Sequence, residues 1–256
     1  MSEQSLNSFQ LEICANSLES AMSAQKGGAH RIELCAGLWE AGITPSYATI
    51  KKACTLEIDV FVLVRPRGGD FVYTDLEFEL LKEEIKLCKA LGVHGIVSGV
   101  LNPDNTIDLD RTKTLVELSK PLPFTFHRAF DLIEDQELAL EQLINLGAKR
   151  VLTSGGKSSA PEAIDQIKKL VKKGQNKITI LAGGGLKSHN INTLLETGCK
   201  EFHMTASKIV KSKAITPPIL LNGSKDIPEQ DYKISDVEEI KKVTKILTSF
   251  FSEPNA

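Results

Sequence analysis

The stretch LEICANSLESAMSAQKGGAHRIELCA, residues 11–36, has the pattern of a strand, a helix and a second strand. Leu11–Asn16 and Arg31–Ala36 are short apolar runs of the length expected for buried strands. The segment between them begins at Ser17, a residue type that caps helix amino termini, and ends at the Gly27–Gly28 pair. Such a unit forms a right-handed crossover, so the two strands are expected to lie parallel.

The same alternation continues to the end of the chain. Six further strand-like runs are separated by segments with helical spacing of apolar residues: Asp59–Pro66, Gly95–Leu101, Phe124–Ala129, Arg150–Ser154, Lys177–Ala182 and Glu201–Ala206. Eight strands and eight helices in strict alternation predict an α/β fold, a single (β/α)8 TIM barrel. The rival fold is an open doubly wound sheet, but no Gly-x-Gly-x-x-Gly segment follows the first strand.

The barrel domain is expected to span residues 11–250, with flexible termini at residues 1–10 and 251–256. Residues 207–235 lose the regular period and contain Pro217–Pro218. A long connection of this kind is unusual in a compact barrel. We therefore expect an irregular excursion before the last helix, lying over the barrel mouth or against a second subunit.

The composition favours an ordinary globular protein of the cytoplasm. The 256 residues carry 31 basic and 33 acidic side chains, a net charge of -2, which does not favour nucleic acid or an anionic membrane as partner. The first ten residues lack a signal-peptide pattern, and no run approaches 18 apolar residues. Five cysteines, an odd number, are expected to be reduced thiols and not a disulfide framework.

A Glu-x-Cys sequence occurs in both of the first two strands, as Glu12 with Cys14 and Glu33 with Cys35. Side chains two residues apart in a strand point to the same face. In a barrel, both carboxylates and both thiols are therefore expected to face one interior. Because buried carboxylates are costly unless paired, this set predicts a functional site.

Other strands also end in polar residues, and barrel active sites lie at the carboxyl ends of the strands. The candidate catalytic residues are Glu12, Glu33, Arg65, His127, Asp131 and His203. The candidate anion-binding residues are Arg65, Arg67, Gly183, Gly184 and Gly185, since backbone amides of a glycine run can approach a phosphate. Arg65 is expected to pair with Glu12 or Glu33 or to bind an anionic ligand, and His127 to act as an acid or base near neutral pH.

Several of these segments resemble the CutC family, named for copper homeostasis. They are RIELC (31–35), TPS (44–46), RPRGGDF (65–71), TFHRAFD (125–131), RVLTSG (150–155) and EFH (201–203). One departure is Ala41–Gly42, where the family usually has two glycines. The resemblance implies a single TIM barrel, a cytosolic protein that forms a dimer or tetramer, and a role in copper handling in which Cys14 and Cys35 bind Cu(I).

Two functions remain open from the sequence. Thiolates favour soft ions such as Cu(I), and His127 or His203 is a candidate third ligand; alternatively, the two cysteines only fill the barrel. The second function is an enzyme acting on a small anionic or phosphorylated metabolite, with Glu or His as acid or base and an Arg clamp. Its structural alternative is an ion-pair network of Glu12 and Glu33 with Arg65 and Arg67. No motif assigns a reaction.

Overall fold

The computed structural model describes residues 9–214 and 230–252, and its central element is a closed barrel of eight parallel strands in chain order. The strands are β1 Gln10–Ala15, β2 Arg31–Leu34, β3 Asp59–Leu63, β4 Gly95–Ser98, β5 Phe124–Phe126, β6 Arg150–Thr153, β7 Thr179–Gly183 and β8 Glu201–Met204. β8 pairs with β1, which closes the sheet. The TIM-barrel prediction is confirmed.

Helices surround the sheet and alternate with the strands. They are α1 Leu18–Lys26, α2 Tyr47–Ala53, α3 Asp75–Ala90, α4 Leu109–Ser119, α5 Gln136–Leu146, α6 Ile164–Gly174, α7 Asn192–Leu195 and α8 Val237–Ser252, with short 3-10 turns at Leu38–Glu40, Arg128–Leu132 and Ala160–Glu162. The Ser17 hydroxyl accepts a hydrogen bond from Ser20 N at the start of α1, as its position predicts. α5 ends at Gly147, which has a φ of 88° that disfavours other residues.

The folded unit is longer at both ends than the sequence indicates. Gln10 begins β1, and the Phe9 ring stacks on that of Phe251 with centroids 5.5 Å apart. The excursion before the last helix is also more regular than expected, because Ser207–Val210 (β9) pairs antiparallel with Tyr232–Ser235 (β10). Residues 215–229, the middle of that excursion, lie outside the described residues. Within the described ranges, no helix is both long and apolar enough to cross a membrane.

A charged layer fills the amino-terminal half of the barrel. Arg31 donates a hydrogen bond to Glu12 through Nε and another to Glu201 through Nη2, the latter 2.6 Å long. Arg150 Nε donates to the same Glu201 carboxylate at 3.0 Å. The Cζ atoms of both guanidinium groups lie 4.7 Å from the centre of the Phe61 ring. This layer closes the interior beneath the carboxyl ends of the strands.

Candidate metal and anion site at the barrel mouth

A cavity of about 350 Å³ lies at the carboxyl ends of the strands. Its wall includes seven of the candidate residues identified in the sequence: Cys14, Glu33, Arg65, His127, Gly184, Gly185 and His203. They come from six strands or the segments that follow them, β1, β2, β3, β5, β7 and β8. The barrel therefore brings together groups that are far apart in the sequence.

The two thiols lie side by side on one wall. Cys35 follows β2, and its N–H donates to Ala15 O, which extends the pairing of β1 with β2 past the end of the strand. This register places Cys14 Sγ 3.6 Å from Cys35 Sγ. Cys35 is fully buried, whereas Cys14 lines the cavity. The hydrogen bond with Cys35, together with burial, raises the pKa of the Cys14 thiol well above its ordinary value.

His203 connects the thiol wall to both glutamates. Its Nδ1 atom is 2.7 Å from Glu12 Oε1, and its Nε2 atom is 3.3 Å from Glu33 Oε2. Burial alone would lower the pKa of His203, but its contacts with Cys14 and with the two carboxyl groups raise it well above the ordinary value. One potential ligand atom from each of Cys14, Glu33 and His203 lies within 4.8 Å of the others.

The two glutamates are electrostatically different. Burial opposes ionisation of Glu12, but the charges of Arg31 and His203 lower its pKa to about 2. Burial raises the pKa of Glu33 to about 7, although His203 acts in the opposite direction. Glu12 is therefore a fixed anion, whereas the Glu33 carboxyl group exchanges its proton near neutral pH.

Arg65 does not pair with either glutamate, contrary to the ion-pair network considered from the sequence. Its Nη1 atom donates to the carbonyl oxygens of Glu40 and Gly42, and its Nη2 atom to that of Gly69, each at 2.7 Å. Arg31 is the residue that pairs with Glu12. Arg65 Nε has no hydrogen-bond partner among the described residues.

His127 is held as a neutral imidazole. Its Nδ1 atom accepts a hydrogen bond of 3.3 Å from Ala129 N, so the ring proton is on Nε2. Burial and the neighbouring Arg65 charge lower the pKa of His127 to about 3. This lowered pKa disfavours the acid or base role near neutral pH that was expected for His127. Instead, His127 offers an N–H donor, and in the described ranges its Nε2 atom has no partner.

His127 is expected to make the protein less stable in mild acid. An unfolded histidine has a pKa of about 6.5. Between that value and the folded pKa of about 3, the unfolded chain binds a proton that the folded chain does not. The free energy of unfolding then falls as pH drops, by about 1.4 kcal/mol per pH unit. Urea unfolding of the wild type and of His127→Asn at neutral pH and about pH 5 tests this, and an equal loss in both proteins would contradict it.

Asp131 and Arg67 are among the candidates that lie outside the cavity wall, with Glu12, Cys35 and Gly183. The Asp131 carboxylate accepts hydrogen bonds from Thr153 Oγ1, Ser154 N and Gly156 N, and pairs with Arg128 Nε at 2.7 Å. Arg67 pairs with Glu77 at 2.6 Å and with Asp70 at 3.1 Å. Both side chains stabilise loops through these contacts, so their positions are accounted for by intramolecular partners and do not require a ligand.

The three glycines Gly183 to Gly185 have different surroundings: the first packs against neighbouring side chains, and the other two line the cavity. Gly183 is the last residue of β7, and a Cβ atom there would lie 3.0 Å from the His203 Cβ. Gly184 and Gly185 line the cavity with φ values of 104° and 71°. Among the described residues, no acceptor is found for the N–H groups of Gly184 and Gly185. The run therefore leaves two backbone donors at the mouth, where anion binding was predicted.

Arg31 and Arg150 are two functional residues that were not identified from the sequence. Both belong to the charged layer beneath the cavity. Strand alternation could have identified Arg31 as an inward-facing residue, because it precedes Glu33 by two residues and therefore shares its face of the strand. The partner of Glu12 could not be read from the sequence, because it depends on the register between β1 and β2.

Paired thiols, an imidazole and a carboxyl group at the carboxyl ends of the strands define a TIM-barrel protein with a candidate metal site. The chain belongs to the CutC family, whose sequence profile matches residues 9–208.

Individual proteins support this assignment. A CutC family protein of Parabacteroides distasonis is 51% identical over 206 residues, which cover 79% of this chain and 85% of that protein. The human copper homeostasis protein cutC homolog is 42% identical over 244 residues, 94% of this chain and 89% of that protein. The crystal structure of a copper homeostasis protein CutC from Streptococcus agalactiae superposes with a TM-score of 0.73 at 38% identity, covering 77% of this chain and 98% of that one.

Proposed function

We propose that the protein binds Cu(I) through the thiolates of Cys14 and Cys35 and takes part in copper handling. The observation that supports this most directly is the 3.6 Å separation of the two sulfur atoms. A metal–thiolate bond is about 2.3 Å long, so two sulfur atoms at this separation can contact one ion. Thiolates are the soft ligands that select Cu(I).

The surrounding residues favour three ligands over two. Sulfur atoms this close bind one ion in a bent arrangement, which leaves a side open for a third ligand. His203 is on that wall, since its potential ligand atom lies within 4.8 Å of the Cys14 sulfur. Glu33 completes the group as an oxygen donor, which suits harder ions better than Cu(I). His127, the other histidine considered as a ligand, is not part of this group.

An anaerobic titration of the reduced protein with Cu(I), in competition with a coloured chelator, tests the proposal. The expected result is withdrawal of one equivalent of copper per chain from the chelator. Zn(II) in the same assay is expected to bind more weakly, because structural zinc sites use about four N or S ligands. Absence of Cu(I) uptake would exclude the proposed function. The family relationship further leads us to propose that the protein is cytoplasmic and forms a homo-oligomer. Light scattering of the purified protein tests the oligomeric state.

A further inference from the structure

Two buried hydrogen-bond donors at the barrel mouth have no partner in the described part of the chain. They are Arg65 Nε and His127 Nε2, and their side chains both line the cavity. Arg65 is 3% exposed and His127 is 5% exposed. Burial raises the pKa of Tyr73 to about 12, and its hydroxyl group lies beside the Arg65 guanidinium group and interacts with it. Because an unsatisfied buried donor is costly, such a cluster indicates a place for a ligand acceptor.

The charge of the pair favours a monoanion. Arg65 is held by three backbone carbonyl groups, and no carboxylate of the described chain forms an ion pair with it. His127 is neutral and supplies an N–H group. One positive charge with one neutral donor matches the two oxygens and single charge of a carboxylate. A phosphate dianion would keep an uncompensated charge in this buried position.

Phe71 covers the two donors. Its ring centroid is 4.8 Å from Arg65 Cζ and 4.7 Å from the centre of the His127 ring. The main chain at this point is held by a hydrogen bond from Leu101 N to Phe71 O. Phe71 therefore forms part of the cavity wall beside both donors.

We propose that Arg65 and His127 form a binding site for the carboxylate group of a small organic acid. The cavity volume of about 350 Å³ accommodates a compound of a few carbon atoms. Its carboxylate contacts Arg65 and His127, and the rest of the molecule occupies the remainder of the cavity, whose lining includes Cys14 and Glu33. This site uses none of the proposed copper ligands.

Ligand-observed NMR titrations of the metal-free, full-length protein test the site. The probes are sodium lactate and sodium pyruvate, with inorganic phosphate and sodium chloride at matched ionic strength. His127→Asn keeps an acceptor for Ala129 N but removes the Nε2 donor. We expect the carboxylates to bind the wild type and to bind this variant about 10- to 100-fold more weakly, the usual effect of one hydrogen bond to a charged group.

A control variant makes the outcome specific. Lys86→Ala removes an exposed cation of α3 that lies outside the cavity wall, and it is expected to leave carboxylate binding unchanged. The titrations use metal-free protein, so failure of the copper proposal would not affect this one. Binding of phosphate without carboxylate, binding of neither carboxylate, or equal carboxylate binding by wild type and His127→Asn would each overturn the proposal.

Discussion

Replacing both Cys14 and Cys35 with serine is expected to weaken Cu(I) binding by at least about 10⁴-fold. Structural sites built of thiolate and imidazole ligands bind zinc with roughly 10–16 kcal/mol over about four ligands, so two thiolates contribute at least about 5 kcal/mol. The remaining group, His203 with Glu33, lacks a soft anionic donor. Competition with a Cu(I) chelator under anaerobic conditions measures the difference.

The chain provides a matched control. Cys54, at the end of α2, and Cys88, in α3, are another pair of neighbouring thiols. Serine at both of these positions removes the same number of sulfur atoms and is expected to leave the affinity for copper unchanged. Circular dichroism of each double variant confirms that it is folded. Retention of wild-type affinity after loss of Cys14 and Cys35, or an equal loss in the control, would show that copper binds elsewhere.

Replacement of Arg31 by methionine is expected to lower the free energy of unfolding by about 3–5 kcal/mol, the typical cost of removing one partner of a buried ion pair. Arg31 is 2% exposed and contacts two carboxylates, Glu12 and Glu201. Glu201 keeps Arg150 as a partner after the change, but Glu12 keeps only the His203 imidazole. Urea unfolding at neutral pH measures the loss.

An exposed ion pair provides the comparison. Lys86 pairs with Glu83 at 2.6 Å, and both side chains are more than half exposed. Lys86→Met is expected to change stability by less than about 1 kcal/mol, because water screens exposed pairs. Adding Glu12→Gln to the Arg31→Met variant removes the unpaired charge and is expected to recover part of the loss. A loss no larger than that of Lys86→Met would mean that the charged layer does not stabilise the barrel.

The fold could be predicted because the alternation of strand and helix patterns constrains chain topology strongly. Helix faces were less certain. Leu76, Leu80, Leu81 and Ile85 all match helical spacing in α3, yet Leu76 and Leu80 are 73% and 49% exposed, whereas the other two are buried. Two overlapping apolar stripes fit the same pattern, so the sequence does not say which of them faces the sheet.

The sequence was sufficient to predict which strands contribute residues to the site and which of their side chains point into the barrel. Strand alternation placed Glu12 and Cys14 inside the barrel, but the distance between the thiols depends on strand register, which the sequence leaves open. The hydrogen-bond partners of Arg65 could not be predicted for a different reason. Its partners are backbone carbonyl groups of loops, and no pattern of side chains reveals these.

Glu12 connects the charged layer to the cavity wall, because one of its carboxylate oxygens contacts Arg31 and the other contacts His203. A proton on His203 Nδ1 satisfies the contact with the Glu12 carboxylate and fixes the ring orientation, which leaves Nε2 on the side of Cys14 and Glu33. The imidazole is thus aimed by the scaffold before any ion arrives. A ligand set that cannot rearrange selects ions by the coordination geometry they accept and not by intrinsic binding strength. For the proposed copper site, the charged layer beneath the mouth would therefore contribute to discrimination between metals, and substitutions at the base of the barrel would alter which ion the site prefers.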